Sequence, residues 1–265
     1  LYISQLLLGI TLLYEEKIMK KAIIEASFGT SHLDALENSV LALKKTIEKS
    51  FPDYEVFIAL TSKIVLSALK KQGVNFDTVD EMLDRLKNDG FDEVIIQPTH
   101  IISGIEYEML TDAAEKFKGD FASIKVGSPL LESKTDMEKV CRIIAEKFPN
   151  ETVILMGHGT EHSANEAYTE FRKVCTELGF GNIYTATVEA EPTLDDVIGE
   201  LKLCGKKKVT VMPLMLVAGD HAKNDMAGEW KEQLEASGFG VDCILKGLGE
   251  YPEIREIYCE HIKSL

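Results

Sequence analysis

From Met19 onward, short runs of β-branched and aliphatic residues alternate with longer stretches in which apolar positions recur every three or four residues. The short runs predict strands at 22–26, 55–60, 93–97, 124–126, 152–156, 183–187, 208–212 and 241–246. The longer stretches predict helices at 33–50, 63–71, 78–89, 107–117, 136–148, 164–178, 193–204, 223–237 and 252–262. Runs such as Val94-Ile95-Ile96 and Val153-Ile154-Leu155-Met156 are apolar at successive positions, so neither face of those strands can be left in water. Strands of that kind alternating with helices predict an α/β fold of parallel sheets covered on both sides.

The pattern also repeats itself. Ile23 to His32 matches Val153 to His162 at an offset of 130 positions, and Val94-Ile95-Ile96-Gln97-Pro98 with Gly104 matches Val209-Thr210-Val211-Met212-Pro213 with Gly219 at an offset of 115. Two matches in the same order predict two similar lobes, at 19–131 and 132–265, each a parallel sheet flanked by helices, with a cleft between them. In open parallel sheets ligands bind outside the carboxyl ends of the strands, where both repeated segments fall. The overlay puts Phe28 at the position of His158 and Glu106 at the position of His221. One wall of the cleft would then offer nitrogen ligands and the other a carboxylate.

Charge narrows the partners. Lys and Arg number 29 against 44 Asp and Glu, a net charge of −15, and no basic patch is dense enough to hold a phosphate backbone, so nucleic acid is not an expected partner. The apolar stretch before Lys17 lacks the basic start of a secretory signal and is interrupted by Glu15 and Glu16, too early for a membrane span. Met19 reads as the natural start, and 1–18 as an extension outside the fold. Five cysteines with no CxxC pair suggest neither a zinc site nor a complete disulfide framework. Cys141, Cys175 and Cys259 read as small buried hydrophobes, which fits a reducing, cytoplasmic setting. Apolar helix faces serve a core or a homo-oligomer equally well.

Three segments carry candidate chemistry. Gly157-His158-Gly159-Thr160 follows a buried strand, and a histidine between glycines can project into a cleft, available to metal or proton. The spacing is neither that of a P-loop nor of a dinucleotide turn. The apolar run from Leu214 ends in Gly219-Asp220-His221, as a pocket wall with one polar group would. Val188-Glu189-Ala190-Glu191-Pro192 follows a third strand and brings Glu189 to its carboxyl end. Two imidazoles and one carboxylate suit a divalent first-row ion, provided the fold makes these distant residues converge. His32, His100 and His162 stay open in role, and His261 reads as a surface residue near the end of the last helix.

Together with Pro98-Thr-His-Ile-Ile-Ser-Gly-Ile-Glu-Tyr-Glu108, these segments resemble the anaerobic cobaltochelatase family of class II tetrapyrrole chelatases, from Met19 to the C-terminus. The resemblance implies insertion of Co²⁺ into sirohydrochlorin in anaerobic cobalamin synthesis, on two ferrochelatase-like lobes, with cobalt as substrate and no organic cofactor. It implies His158 and His221 as metal-binding residues, Glu189 as third ligand, and Glu106 as an acid/base or metal-path residue. The many substrate carboxylates would need local donors on so acidic a chain. The Gly29-Thr30-Ser31 and Gly159-Thr160 turns, the Ser31 and Ser103 hydroxyls and the adjacent Phe28 supply the candidate substrate-binding positions. Two other readings stay open: a chelatase for nickel or iron, and a non-catalytic metal- or tetrapyrrole-binding protein.

Overall fold

The computed structural model describes residues 19–265, so the reading of 1–18 lies outside the described residues. Eight strands form two parallel sheets. The first holds β1 (Lys21–Ser27), β2 (Glu55–Leu60), β3 (Glu93–Pro98) and β4 (Ser123–Val126) in the order β2-β1-β3-β4. The second holds β5 (Val153–Gly157), β6 (Ile183–Thr187), β7 (Lys208–Pro213) and β8 (Gly240–Cys243) in the order β6-β5-β7-β8. The same order in both sheets is the duplication read from the sequence. Register follows it, with Ile24 between Phe57 and Ile96 and Ile154 between Tyr184 and Val211.

Helices connect the strands: α1 (residues 33–50), α2 (Lys63–Lys71), α3 (Val79–Asn88), α4 (Ile105–Lys116), α5 (Lys134–Lys147), α6 (Glu166–Glu177), α7 (Leu194–Leu203), α8 (residues 221–236) and α9 (Pro252–Lys263). Several start where a side chain caps the first turn. Thr78 and Glu81 form a reciprocal capping box on α3, and Thr193 and Asp196 form one on α7.

Alternate residues of each central strand face different layers. Ala22, Ile24 and Ala26 pack against α3 and α4, and Ile154 and Met156 against α7 and α8. The opposite faces, carrying Ile23, Ile95, Val153 and Leu155, join in one core shared by both sheets with α1, α5, α6 and α9. The lobes are therefore fused at their inner layer. The last helix leaves the second sheet and locks onto the first lobe: the Tyr258 hydroxyl donates to the Thr99 carbonyl at 3.1 Å, and Arg255 Nε donates to Thr46 Oγ1 at 3.0 Å.

Several expectations need correction. The strand expected to reach 246 ends at Cys243, because Gly247 is pressed against the backbone of Leu216, Val217 and Ala218, and the chain bends to meet it. The helix expected from 223 starts at His221 and runs as a π-helix over His221–Trp230, and α1 contains a second π-helical segment, Leu36–Leu41. Helical periodicity does not separate 3.6 from wider turns over so few residues, although π segments often mark functional positions. Cys141 on α5 and Cys175 on α6 are buried, as expected, but joined as a disulfide with Cα atoms 5.7 Å apart. His261 is buried rather than exposed: its Nδ1 donates to the Ser128 carbonyl at 3.0 Å, and its Nε2 lies 3.3 Å from Asp136.

Candidate functional site

Strand order makes the distant candidates neighbours. His158 follows β5, Glu189 follows β6 and His221 follows β7, and these strands lie side by side as β6-β5-β7. Their carboxyl ends open at the switch point of the second sheet. The imidazoles of His158 and His221 meet edge to face, with centroids 4.8 Å apart and planes at 89°. His158 Nε2 lies 3.8 Å from Glu189 Oε1. All three side chains are partly open to solvent, at 47% for His158, 58% for Glu189 and 39% for His221.

The ring nitrogens are sorted by their bonds. His158 Nδ1 donates to the Gly159 carbonyl at 2.8 Å, and His221 Nδ1 donates to Asp225 Oδ2 at 2.5 Å. Both rings thereby keep the lone pair on Nε2, as a neutral ligand must. Asp225, four residues beyond His221 in the π-helix, is an outer partner of the kind that raises ligand basicity and fixes ring orientation. Asp225→Asn is expected to weaken Co²⁺ binding by roughly 10–100-fold with the fold intact, measured by titration calorimetry. Unchanged affinity would assign Asp225 to the helix alone.

The glycines beside His158 do more than give it room. A Cβ on Gly157 would fall 2.4 Å from the Tyr168 ring, and one on Gly159, at φ +85°, would fall 2.7 Å from Thr187 Oγ1 and 2.8 Å from the Ala190 nitrogen. The absent side chains let Tyr168 support the turn from behind and let the segment after β6 close against it. The Glu189 N–H donates to the His158 carbonyl at 2.9 Å, which ties the candidate carboxylate to the candidate imidazole through the backbone. Asn165 adds a clamp, accepting from the Thr160 N–H at 3.0 Å and donating to the Glu191 carbonyl at 2.5 Å.

The first lobe supplies the facing wall. Glu106, in the first turn of α4, accepts at Oε2 from the Thr61 hydroxyl at 2.7 Å and from His100 Nε2 at 2.9 Å. Burial pushes its carboxyl up, but the hydrogen bonds from His100 and Thr61, with the positive charge that His100 and His158 carry when protonated, outweigh that and hold it below the usual carboxylate range. Glu106 is therefore ionised at neutral pH and feels the imidazole across the gap. Phe28, at the position equivalent to His158, is 51% exposed, beside Gly29 at φ +87°.

The remaining candidates hold their own turns. Thr30 and Thr160 accept at their hydroxyls from the N–H groups of His32 at 3.2 Å and His162 at 3.1 Å. The Ser31 carbonyl accepts from Gln72 at 3.0 Å, and the Ser103 hydroxyl bonds Glu132. Sequence reasoning missed Asp225 as the partner of His221, His100 and Thr61 as partners of Glu106, and the Asn165 clamp. Only the four-residue step from His221 to Asp225 was visible in one dimension. Among the described residues, no three His, Cys, Asp or Glu side chains are gathered closely enough to hold a metal ion as they stand.

Two lobes with a shared inner core and a loop-lined gap define the chelatase class of fold. SirB from Bacillus subtilis, solved with Fe³⁺, superposes with a TM-score of 0.63 at 14% identity, covering 93% of this chain and 95% of its own. CbiX, described as the terminal enzyme for siroheme biosynthesis in denitrifying bacteria, gives 0.58 at 14% identity, covering 92% and 99%. Within that class, the family model described as cobalt chelatase (CbiK) matches residues 21–265, and the chain belongs to this family. It is 36% identical over 253 residues to the sirohydrochlorin cobaltochelatase of Salmonella typhimurium, covering 92% of this chain and 96% of that protein. It is 33% identical over 256 residues to sirohydrochlorin cobaltochelatase CbiKC of Nitratidesulfovibrio vulgaris, covering 92% and 90%.

Proposed function

We propose that this chelatase inserts Co²⁺ into sirohydrochlorin, with His158, His221 and Glu189 as the ligands that deliver the ion and Glu106 as a proton acceptor on the opposite wall. The observation that carries this reading is the His158–His221 pair, 4.8 Å between centroids, with both Nε2 atoms free of other bonds to ring partners and Glu189 alongside. Two neutral imidazoles and a carboxylate form a borderline donor set that suits Co²⁺. Small side-chain rotations would close these donors on an ion. A grip assembled only on binding favours handing the metal on, which a chelatase must do.

Insertion balances without any redox change. Two pyrrole N–H bonds break, two nitrogen–cobalt bonds replace them alongside those from the other two nitrogens, and two protons leave. No organic cofactor is needed in this scheme. Glu106, ionised and backed at Oε2 by His100 and Thr61, keeps Oε1 to take one proton. The exposed Phe28 ring and the Gly29-Thr30-Ser31 and Gly159-Thr160 turns line the space for the macrocycle, with Ser103 nearby on the first lobe. The likeness to relatives named for sirohydrochlorin and cobalt supports this choice of substrate.

Glu106→Gln keeps the shape and the hydrogen bond from Thr61 but removes the base. Its kcat is expected to fall by about 10²-fold or more, while Co²⁺ affinity, measured by calorimetry, stays near the wild-type value. A variant with full kcat would remove Glu106 from the scheme. Rates with Co²⁺, Ni²⁺ and Fe²⁺ in parallel test the choice of metal. No helix among the described residues is long and apolar enough to cross a membrane. A cytoplasmic setting, which would keep the Cys141–Cys175 bond reduced, is part of this reading: alkylation under denaturing conditions in freshly lysed cells should label both cysteines, and a pair that stays unlabelled until reductant is added would count against it.

A further inference from the structure

Two hydrogen-bonded pairs cross from one lobe to the other close in sequence to the imidazoles. His32, just ahead of α1, meets Asp220, the residue before His221, at 2.9 Å between Nε2 and Oδ1. His162, four residues after His158, meets Glu108, two residues after Glu106, at 3.2 Å between Nε2 and Oε1. The histidines lie 130 positions apart, the offset of the duplication, and each is held by the threonine two residues before it. Each bridge runs from the turn after the first strand of one lobe to the turn or helix start after the third strand of the other. The arrangement has the symmetry of the fold itself. His162 Nδ1 accepts from the Ala164 N–H at 3.1 Å, so its Nε2–H is the donor to Glu108.

We propose that these two bridges are the positioning device that sets the width of the gap, holding the wall of Glu106 at working distance from the wall of His158 and His221. This rests on the site reading above. The linkage is direct in the chain: Glu108 lies two residues from Glu106, and Asp220 adjoins His221, so a shift of either bridge moves a reacting group. Lys223 on α8 and Asp34 on α1, 4.0 Å apart, reinforce the His32 side. Both bridging carboxylates are largely in water, at 60% exposure for Glu108 and 73% for Asp220. Pairs so exposed are individually weak. With the lobes fused at their inner core, bridges of that strength bias the loops at the strand ends toward one spacing yet open readily enough to admit a flat macrocycle and release the product.

The test uses the full chain with saturating Co²⁺ and sirohydrochlorin. Glu108→Ala and Asp220→Ala, which remove the acceptors, are each expected to lower kcat by about two- to fivefold, and the double variant by about tenfold, from the strength of exposed pairs converted to rate. The macrocycle KM, Co²⁺ affinity and thermal midpoint should stay close to wild type. A double-mutant cycle of Glu108→Ala with His162→Asn should show coupling in kcat, since alanine removes the acceptor and asparagine keeps one for the Ala164 N–H. Lys116→Ala, which breaks an exposed pair with Asp80 inside the first lobe, should leave activity unchanged. Wild-type kcat in the double variant, or a loss confined to thermal midpoint, overturns the inference. His158→Ala run alongside separates the two claims: an active His158→Ala enzyme defeats the site reading, whereas an inactive one beside a fully active bridge variant defeats only the bridges.

Discussion

Replacing His158 or His221 by alanine should remove chelatase activity almost entirely while leaving a folded protein. Loss of an outer hydrogen-bond partner already costs about 10–100-fold in metal affinity, and loss of a ligand itself should exceed that. Neither side chain is part of the core: His158, 47% exposed, projects from a turn backed by Tyr168, Thr187 and Ala190, and His221, 39% exposed, stands at the first position of α8. The thermal midpoint should therefore move little. Co²⁺ binding by calorimetry and insertion followed through the absorption of the macrocycle provide the two readouts. Full activity in either variant would reject the ligand assignment.

Glu25→Leu should stabilise the protein, and increasingly so at alkaline pH. Glu25 lies on the inner face of β1, fully buried, and among the described residues no group sits in hydrogen-bond geometry to either carboxyl oxygen. Burial pushes its carboxyl well above the usual range, and the Lys44 charge and Ser27 hydroxyl offset only part of that. The sign follows from proton binding. Below the ordinary carboxylate range both folded and unfolded chains hold the proton; as pH rises past it the unfolded chain releases the proton while the folded one keeps it, so stability falls. That fall continues until the raised pKa is reached, at up to about 1.4 kcal/mol per pH unit. The duplication offers a replacement, because the residue 130 positions on is the fully buried Leu155. Removing an unpartnered buried polar group is expected to contribute about 1–3 kcal/mol at acid pH, with a larger gain at pH 8. Urea titrations at the two pH values check it, and a destabilised variant at pH 8 would show that Glu25 has a partner the structure does not reveal.

Much of the architecture was legible in one dimension because strand burial and helix amphipathicity are local. Consecutive apolar residues such as Val153 to Met156 can only be strands covered on both faces, and the repeated Gly-Thr and Pro segments announced two lobes. The end of β8 and the π-helical start of α8 were not legible. Both depend on a neighbour: Gly247 pressed against Leu216 to Ala218, and a turn that aligns His221 with Asp225. The Cys141–Cys175 pair was likewise invisible, since two residues 34 apart meet only because α5 packs on α6.

For the candidate site, residue types and their places at strand ends came from the sequence alone: His158, Glu189, His221 and Glu106 each stand just after a strand or at the start of the helix that follows it. Tertiary structure decided which of them meet, because the order β6-β5-β7 is a property of sheet pairing that no local pattern records. It also decided which nitrogen of each imidazole stays free, how Glu106 remains ionised in a half-buried position, and how the two lobes are tied across the gap. The Thr61–Glu106 bond and the two bridges join residues 45 to 188 positions apart, whereas the free nitrogens of His158 and His221 and the His100–Glu106 bond rest on partners one to six positions away. A chain specifies such contacts only through the packing that assembles them.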